Sequence, residues 1–85
     1  MITRTDIEIN ILRALNAAGG VPLPESGLVR VVQKLSAPEA PSIADVLDAL
    51  KFVESKKYAD AATVDLEERS WTLTTAGIHK ARKLA

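Results

Sequence analysis

The stretch Trp71-Thr72-Leu73-Thr74-Thr75-Ala76-Gly77-Ile78 decides how the rest of this chain is read. Trp71 and Leu73 lie two apart, so on an extended strand they share one face and can cover a core together. Thr74 or Thr75 then stands where a helix would open, because a hydroxyl there can accept from the free amides of the first turn. Gly77 lets that turn pass close to neighbouring backbone. Beyond it, Ile78, Ala81, Leu84 and Ala85 fall on one side of a helix running to about Leu84, with His79, Lys80, Arg82 and Lys83 mainly on the other. The octet is a strand that runs directly into a last helix.

A strand of this kind needs a partner, and the residues before it supply one. Tyr58, Asp60, Ala62 and Val64 alternate with Ala59, Ala61 and Thr63, a period that suits an extended segment. Leu66-Glu67-Glu68-Arg69 would turn the chain and Ser70–Leu73 would return it as a hairpin. Alanine is a weak strand former, so the first of these strands owes little to propensity.

Upstream the period is helical. Thr5-Asp6-Ile7-Glu8 has the form of a capping box, followed by Ile7, Ile11, Ala14, Leu15 and Ala18 at helical spacing and by Gly19-Gly20, which can close the helix. Val21-Pro22-Leu23-Pro24 cannot be helix interior, since two prolines remove donors, and reads as a short extended segment. A second helix opens near Pro24-Glu25-Ser26 with Leu28, Val31, Val32 and Leu35 as its apolar face. After a loop from Ser36 to Ser42 punctuated by proline, Ser42 caps a third helix whose stripe is Ile43, Val46, Leu47, Leu50 and Val53 and which ends around Lys56-Lys57. The expected core is Ile7, Ile11, Leu15, Leu28, Val32, Leu47, Leu50, Val53, Trp71, Leu73 and Ile78.

Composition bounds the function. Eighty-five residues, 47% of them apolar, make one domain over residues 1–85 with enough material for its own core. Without cysteine there are no disulfides, thiolate metal sites or thiol nucleophiles. No apolar run approaches the roughly 18 residues of a membrane span, and the N-terminus lacks the pattern of a signal peptide. A cytoplasmic protein with no membrane partner is expected. His79 is the single histidine, on a helix face beside Lys80 and without a carboxylate partner in sequence, and Gly19-Gly20 precede an extended segment rather than a helix. An enzyme, a cofactor or a metal site is therefore not expected.

The order helix, short strand, helix, helix, strand, turn, strand, helix is that of the winged helix-turn-helix. Asp48–Tyr58 resembles the end of a winged-helix recognition helix and its entry into the wing. Trp71–Ile78 is similar to the aromatic-x-Leu-Thr-x-x-Gly signature of bacterial and archaeal regulators of the MarR and PadR type, and the resemblance covers residues 5 to 84. It implies an α+β winged helix-turn-helix, with a three-helix core, a short β-hairpin wing and a C-terminal helix. It also implies binding to double-stranded DNA in transcriptional control. Such families often carry Gly where this chain has Lys57.

By that resemblance the groove-facing positions of the third helix are Ser42, Ala44, Asp48, Lys51 and Ser55. Lys51 and Ser55 would read bases, with Ser42 beside them, while Arg30, Lys34 and Arg69 would hold phosphates. The charge available is thin: net charge is zero, and Asp65, Glu67 and Glu68 in the wing would repel phosphates. The competing reading is a protein-interaction module within a larger assembly. Projected at 100° per residue, Phe52 falls off the third helix's stripe and Ile9 falls opposite Ile7 and Ile11. Because helix one and the last helix commonly pack together in dimeric winged-helix proteins, a homodimer through Ile9, Phe52 and Ile78 is expected.

Overall fold

In the computed structural model, which describes residues 2–63 and 68–84, the first helix opens one turn-start earlier than the sequence pattern suggests. The cap of α1 (Arg4–Ala17) is Thr3, not Thr5. The Asp6 N–H donates to Thr3 Oγ1 (3.2 Å) and the Thr3 N–H donates to Asp6 Oδ2 (3.0 Å), a reciprocal capping box. Two further gains explain the choice. Ile2 and Ile7 then occupy the staple positions on either side of the cap and line one crevice. Glu8, released from capping, pairs with Arg4 one turn back (3.3 Å). The bonds from the Thr3 amide and hydroxyl hold the Asp6 carboxyl below its usual pKa. A lowered carboxyl pKa means that this cap stabilises the fold above the ordinary carboxylate range and is lost as pH falls through the lowered value.

The chain continues as β1 (Leu23–Pro24), α2 (Glu25–Leu35), α3 (Ile43–Ser55), β2 (Ala59–Ala62), β3 (Ser70–Leu73) and α4 (Thr75–Leu84). Gly19 and Gly20, at φ of 62° and 90°, close α1 as their left-handed freedom allows. Gln33 Nε2–H donates to the Pro41 carbonyl (3.0 Å) and so fixes the loop from α2 to α3, and the Ser42 hydroxyl caps α3 by accepting from the Asp45 N–H (3.1 Å). Among the described residues, no helix is long and apolar enough to cross a membrane.

The sheet has the order β1-β3-β2 and is antiparallel throughout. Trp71 is its centre, opposite Leu23 on one side and Ala61 on the other. Alanines along β2 are a fit rather than a defect: Ala59 is fully buried, and a larger residue there would push the hairpin off the helices. α1 is the hub, packing against α2, α3, α4 and β3.

Lys57 takes a left-handed conformation that favours glycine, with φ of 62°. The Tyr58 N–H donates to the Val53 carbonyl (3.1 Å) and the Lys57 N–H to the Glu54 carbonyl (2.9 Å), the double closure of a Schellman end. Those bonds hold a lysine in a region that costs a residue with a Cβ about 1–2 kcal/mol.

Burial corrects the expected core in both directions. Ile7, Ile11, Leu15, Leu28, Val32, Leu50, Val53 and Trp71 are buried, joined by Leu12, Val29, Val46 and several alanines. Leu47, Leu73 and Ile78 are only half-buried. Val31, Leu35 and Ile43, placed on inward stripes by periodicity, are exposed, Ile43 by 61%. The reason is that α2 and α3 each meet neighbours along a narrow face, so residues at the margin of the stripe have nothing to cover them. Asn10 is a buried polar residue that hydropathy does not flag. Its Nδ2–H donates to Ser36 Oγ (2.9 Å), which donates to the Val32 carbonyl (2.8 Å), tying α1 to the end of α2.

Candidate nucleic-acid interface

The buried face of α3 is Val46, Ala49, Leu50 and Val53. Helical geometry therefore turns Ala44, Asp48, Lys51 and Ser55 outward, and all four are exposed, as is Ser42 at the cap. Along one margin of that outward face, Ile43 and Leu47 of α3, Val29, Arg30 and Gln33 of α2 and Glu68 at the base of the β2–β3 hairpin line a groove of about 320 Å3. Lys34, one turn beyond Arg30, is exposed as well.

The hairpin base is fastened beside this groove. The Glu25 N–H donates to the Arg69 carbonyl (2.8 Å), extending the β1–β3 ladder into α2. Ser26 Oγ donates to Glu68 Oε1 (2.8 Å), so this acid is bonded to α2. Arg69 itself is exposed. Asp65 and Glu67 lie outside the described residues.

Both serines among the expected groove-facing positions, Ser42 and the base-reading Ser55, already bond within α3. Ser42 Oγ accepts from the Asp45 N–H, and Ser55 Oγ donates to the Phe52 carbonyl (2.7 Å). Lys51 is the cation on the outward face, and the helix as a whole carries Asp45, Asp48 and Glu54 against it. Asp45 and Asp48 line a crevice with Ile2, Arg4 and Ile7 at the start of α1.

A second groove, of about 290 Å3, runs between α1, α3 and α4. It brings together Ile9 and Phe52, which the helical projection had set apart from their stripes, with Leu12, Tyr58 and Leu84 along its floor and Lys56 and Lys80 at its edge. Phe52 is half-buried rather than bare: the Arg4 guanidinium lies 4.4 Å and the Lys56 ammonium 5.2 Å from its ring centroid. Ile78 does not join them. It lines a different crevice with Leu15, Val21, Leu73 and Arg82.

Among the described residues, no group of three or more His, Cys, Asp and Glu side chains could hold a metal ion, and His79 is exposed on α4.

Solved structures reproduce this arrangement. The crystal structure of MepR, a transcription regulator of the Staphylococcus aureus multidrug efflux pump MepA, superposes with a TM-score of 0.74 at 19% identity over 91% of this chain. The crystal structure of SSV1 F-93 superposes with a TM-score of 0.70 at 21% identity, covering 91% of this chain and 80% of that one. The chain has the winged helix-turn-helix fold. Its residues span about half of MepR, 52% of that chain. No family model and no curated protein matches the sequence. Within the winged helix, α2 and α3 form the helix-turn-helix and β2–β3 form the stem of the wing.

Proposed function

We propose that this winged-helix domain binds double-stranded DNA as a small transcriptional regulator, with α3 in the major groove. The observation that carries the proposal is the open outward face of α3, with the exposed Arg30 of α2 lining the groove at its margin; Lys34 on α2 and Arg69 at the wing's base are exposed as well. Helices in this position are read into the major groove by their outward residues, while the flanking elements hold the phosphates. Lys51 faces the bases, and Arg30, Lys34 and Arg69 supply the phosphate contacts. This is a binding protein, without a catalytic step.

The test is retention of a mixed pool of duplex DNA at low salt, repeated as salt rises. Each phosphate neutralised adds about −0.9 to the slope of log affinity against log salt. Replacing Arg30, Lys34 and Arg69 together with Ala is expected to flatten that slope by about 2–3 units. No retention even at the lowest salt overturns the proposal and leaves a protein-docking module as the reading.

The apolar groove between α1, α3 and α4 favours a second element of the reading, a homodimer in which two copies meet along α1 and α4. Ile9 and Leu84 are the residues to change, because both line that groove while α1's core contacts run through Ile7, Ile11 and Leu15. Light scattering is expected to give the mass of two chains for the parent and of one for Ile9→Asp. A parent that stays monomeric as concentration rises refutes the dimer and leaves the DNA proposal standing.

A further inference from the structure

The outward face of α3 has an unusual chemistry for a helix proposed to read bases. Along the margin that opens into the groove beside Arg30, its first turns present aliphatic carbon. Ile43 is 61% exposed, Ala44 is exposed and Leu47 is half-buried beside them. The hydroxyls at the two ends, Ser42 and Ser55, already make bonds inside the helix, and the exposed Asp48 is an acid that a phosphate backbone would not favour. Lys51 is left as the outward donor.

In the major groove, each base edge offers polar atoms except one group, the C5-methyl of thymine. An aliphatic side chain pressed on a carbonyl or amino edge strips it of water without replacing its hydrogen bond, which is unfavourable. Pressed on a methyl group, it buries apolar surface from both partners. Residues near the N-terminus of a recognition helix are those that reach the base edges. Ile43 stands at the first position of α3, on the margin that opens into the groove beside Arg30.

We infer that Ile43, with Ala44, selects thymine by contact with its C5-methyl group, and that this contact is a main source of sequence preference in this domain. The inference rests on the DNA-binding reading above. Ile43 is a specificity residue on this account, and its exposure in the free protein is the surface that the methyl group covers.

The experiment first selects preferred sites from a randomised duplex pool with the parent protein. Each thymine of the selected site is then replaced in turn by deoxyuridine, which differs only in lacking the methyl group. At one or two positions the parent is expected to lose about fourfold in affinity per methyl removed. Ile43→Ala is expected to bind the thymine site more weakly and to show no further loss on uracil at those positions. Because Ile43 is largely exposed, the variant should retain the parent's melting temperature, which a thermal scan checks. Selected sites that bind equally well with uracil throughout overturn the inference while leaving DNA binding intact. An Ile43→Ala variant that keeps the full uracil penalty does the same. Absence of any duplex binding by the parent at low salt overturns both readings together.

Discussion

Gly77→Ala is expected to cost about 3 kcal/mol and to lower the melting temperature by roughly 12–24 °C. Gly77 is buried in the first turn of α4, and a Cβ there would overlap the Tyr58 carbonyl oxygen and come within 2.8 Å of the carbonyl carbon. The carbonyl cannot step aside cheaply. It accepts from the Thr74 N–H (3.0 Å), and Thr74 in turn donates its hydroxyl to the Lys57 carbonyl (2.6 Å) while accepting from the Gly77 N–H (3.0 Å). Moving Tyr58 would open the end of α3, the start of β2 and the cap of α4 at once. Gly27→Ala is the matching control, since a Cβ in that turn of α2 meets only Pro24 Cδ at 3.9 Å. There alanine is expected to stabilise by about 0.5–1 kcal/mol, as it does in an open helical position. Thermal unfolding followed by circular dichroism separates the two. A Gly77→Ala protein that melts within a few degrees of the parent would show that the approach of α4 to Tyr58 is not what demands glycine.

The same junction shows which features of the fold can be read from residues alone. Trp71, Leu73, Thr74 and Gly77 speak through local pattern: alternation, then a cap, then a missing side chain. Thr74 and Gly77 are set by contacts within the same short stretch or with the turn at Tyr58, and the alternation alone places β3, so β3 came out as Ser70–Leu73 and Thr74 as the cap of α4. Thr3 and Thr5 are both competent caps by type, and the choice between them depends on Ile2 meeting Ile7 and on Glu8 meeting Arg4, which a motif beginning at Thr5 does not weigh. Ile43, Val31 and Leu35 show the other limit. Periodicity reports which side of a helix is apolar but not how wide a face its neighbours cover, and here that face is narrow. For the candidate interface, projection correctly turned Lys51, Ser55 and Ala44 outward and set Ile9 and Phe52 off their stripes. That Ile9 and Phe52 share one groove, that Ile78 lies elsewhere, and that Ser42 and Ser55 bond their own helix all depend on packing or on rotamers, which no spacing encodes.

Trp71→Ala carries the other large effect, an expected loss of about 3–5 kcal/mol, comparable to the whole stability of a domain this small. Trp71 is 2% exposed and is the largest fully buried side chain. It is also the residue through which three layers of contact pass: Leu23 on one side of the sheet, Ala61 on the other and the helices beneath. On the β2 side the cavity left by alanine has only small neighbours to collapse into it, because that strand offers Ala59 and Ala61 at the positions nearest the helices. Burial, not its hydrogen bond, is the larger part. The indole Nε1–H donates to Glu25 Oε1 at 3.3 Å, a long bond to a carboxylate that water also reaches. Trp71→Phe keeps most of the ring and loses the donor, so it is expected to cost roughly 1–2 kcal/mol, and Glu25→Ala roughly 1 kcal/mol. Urea denaturation of the three variants gives the order directly. If Glu25→Ala proved as damaging as Trp71→Ala, the hydrogen bond and not the filled volume would be what joins this sheet to its helices.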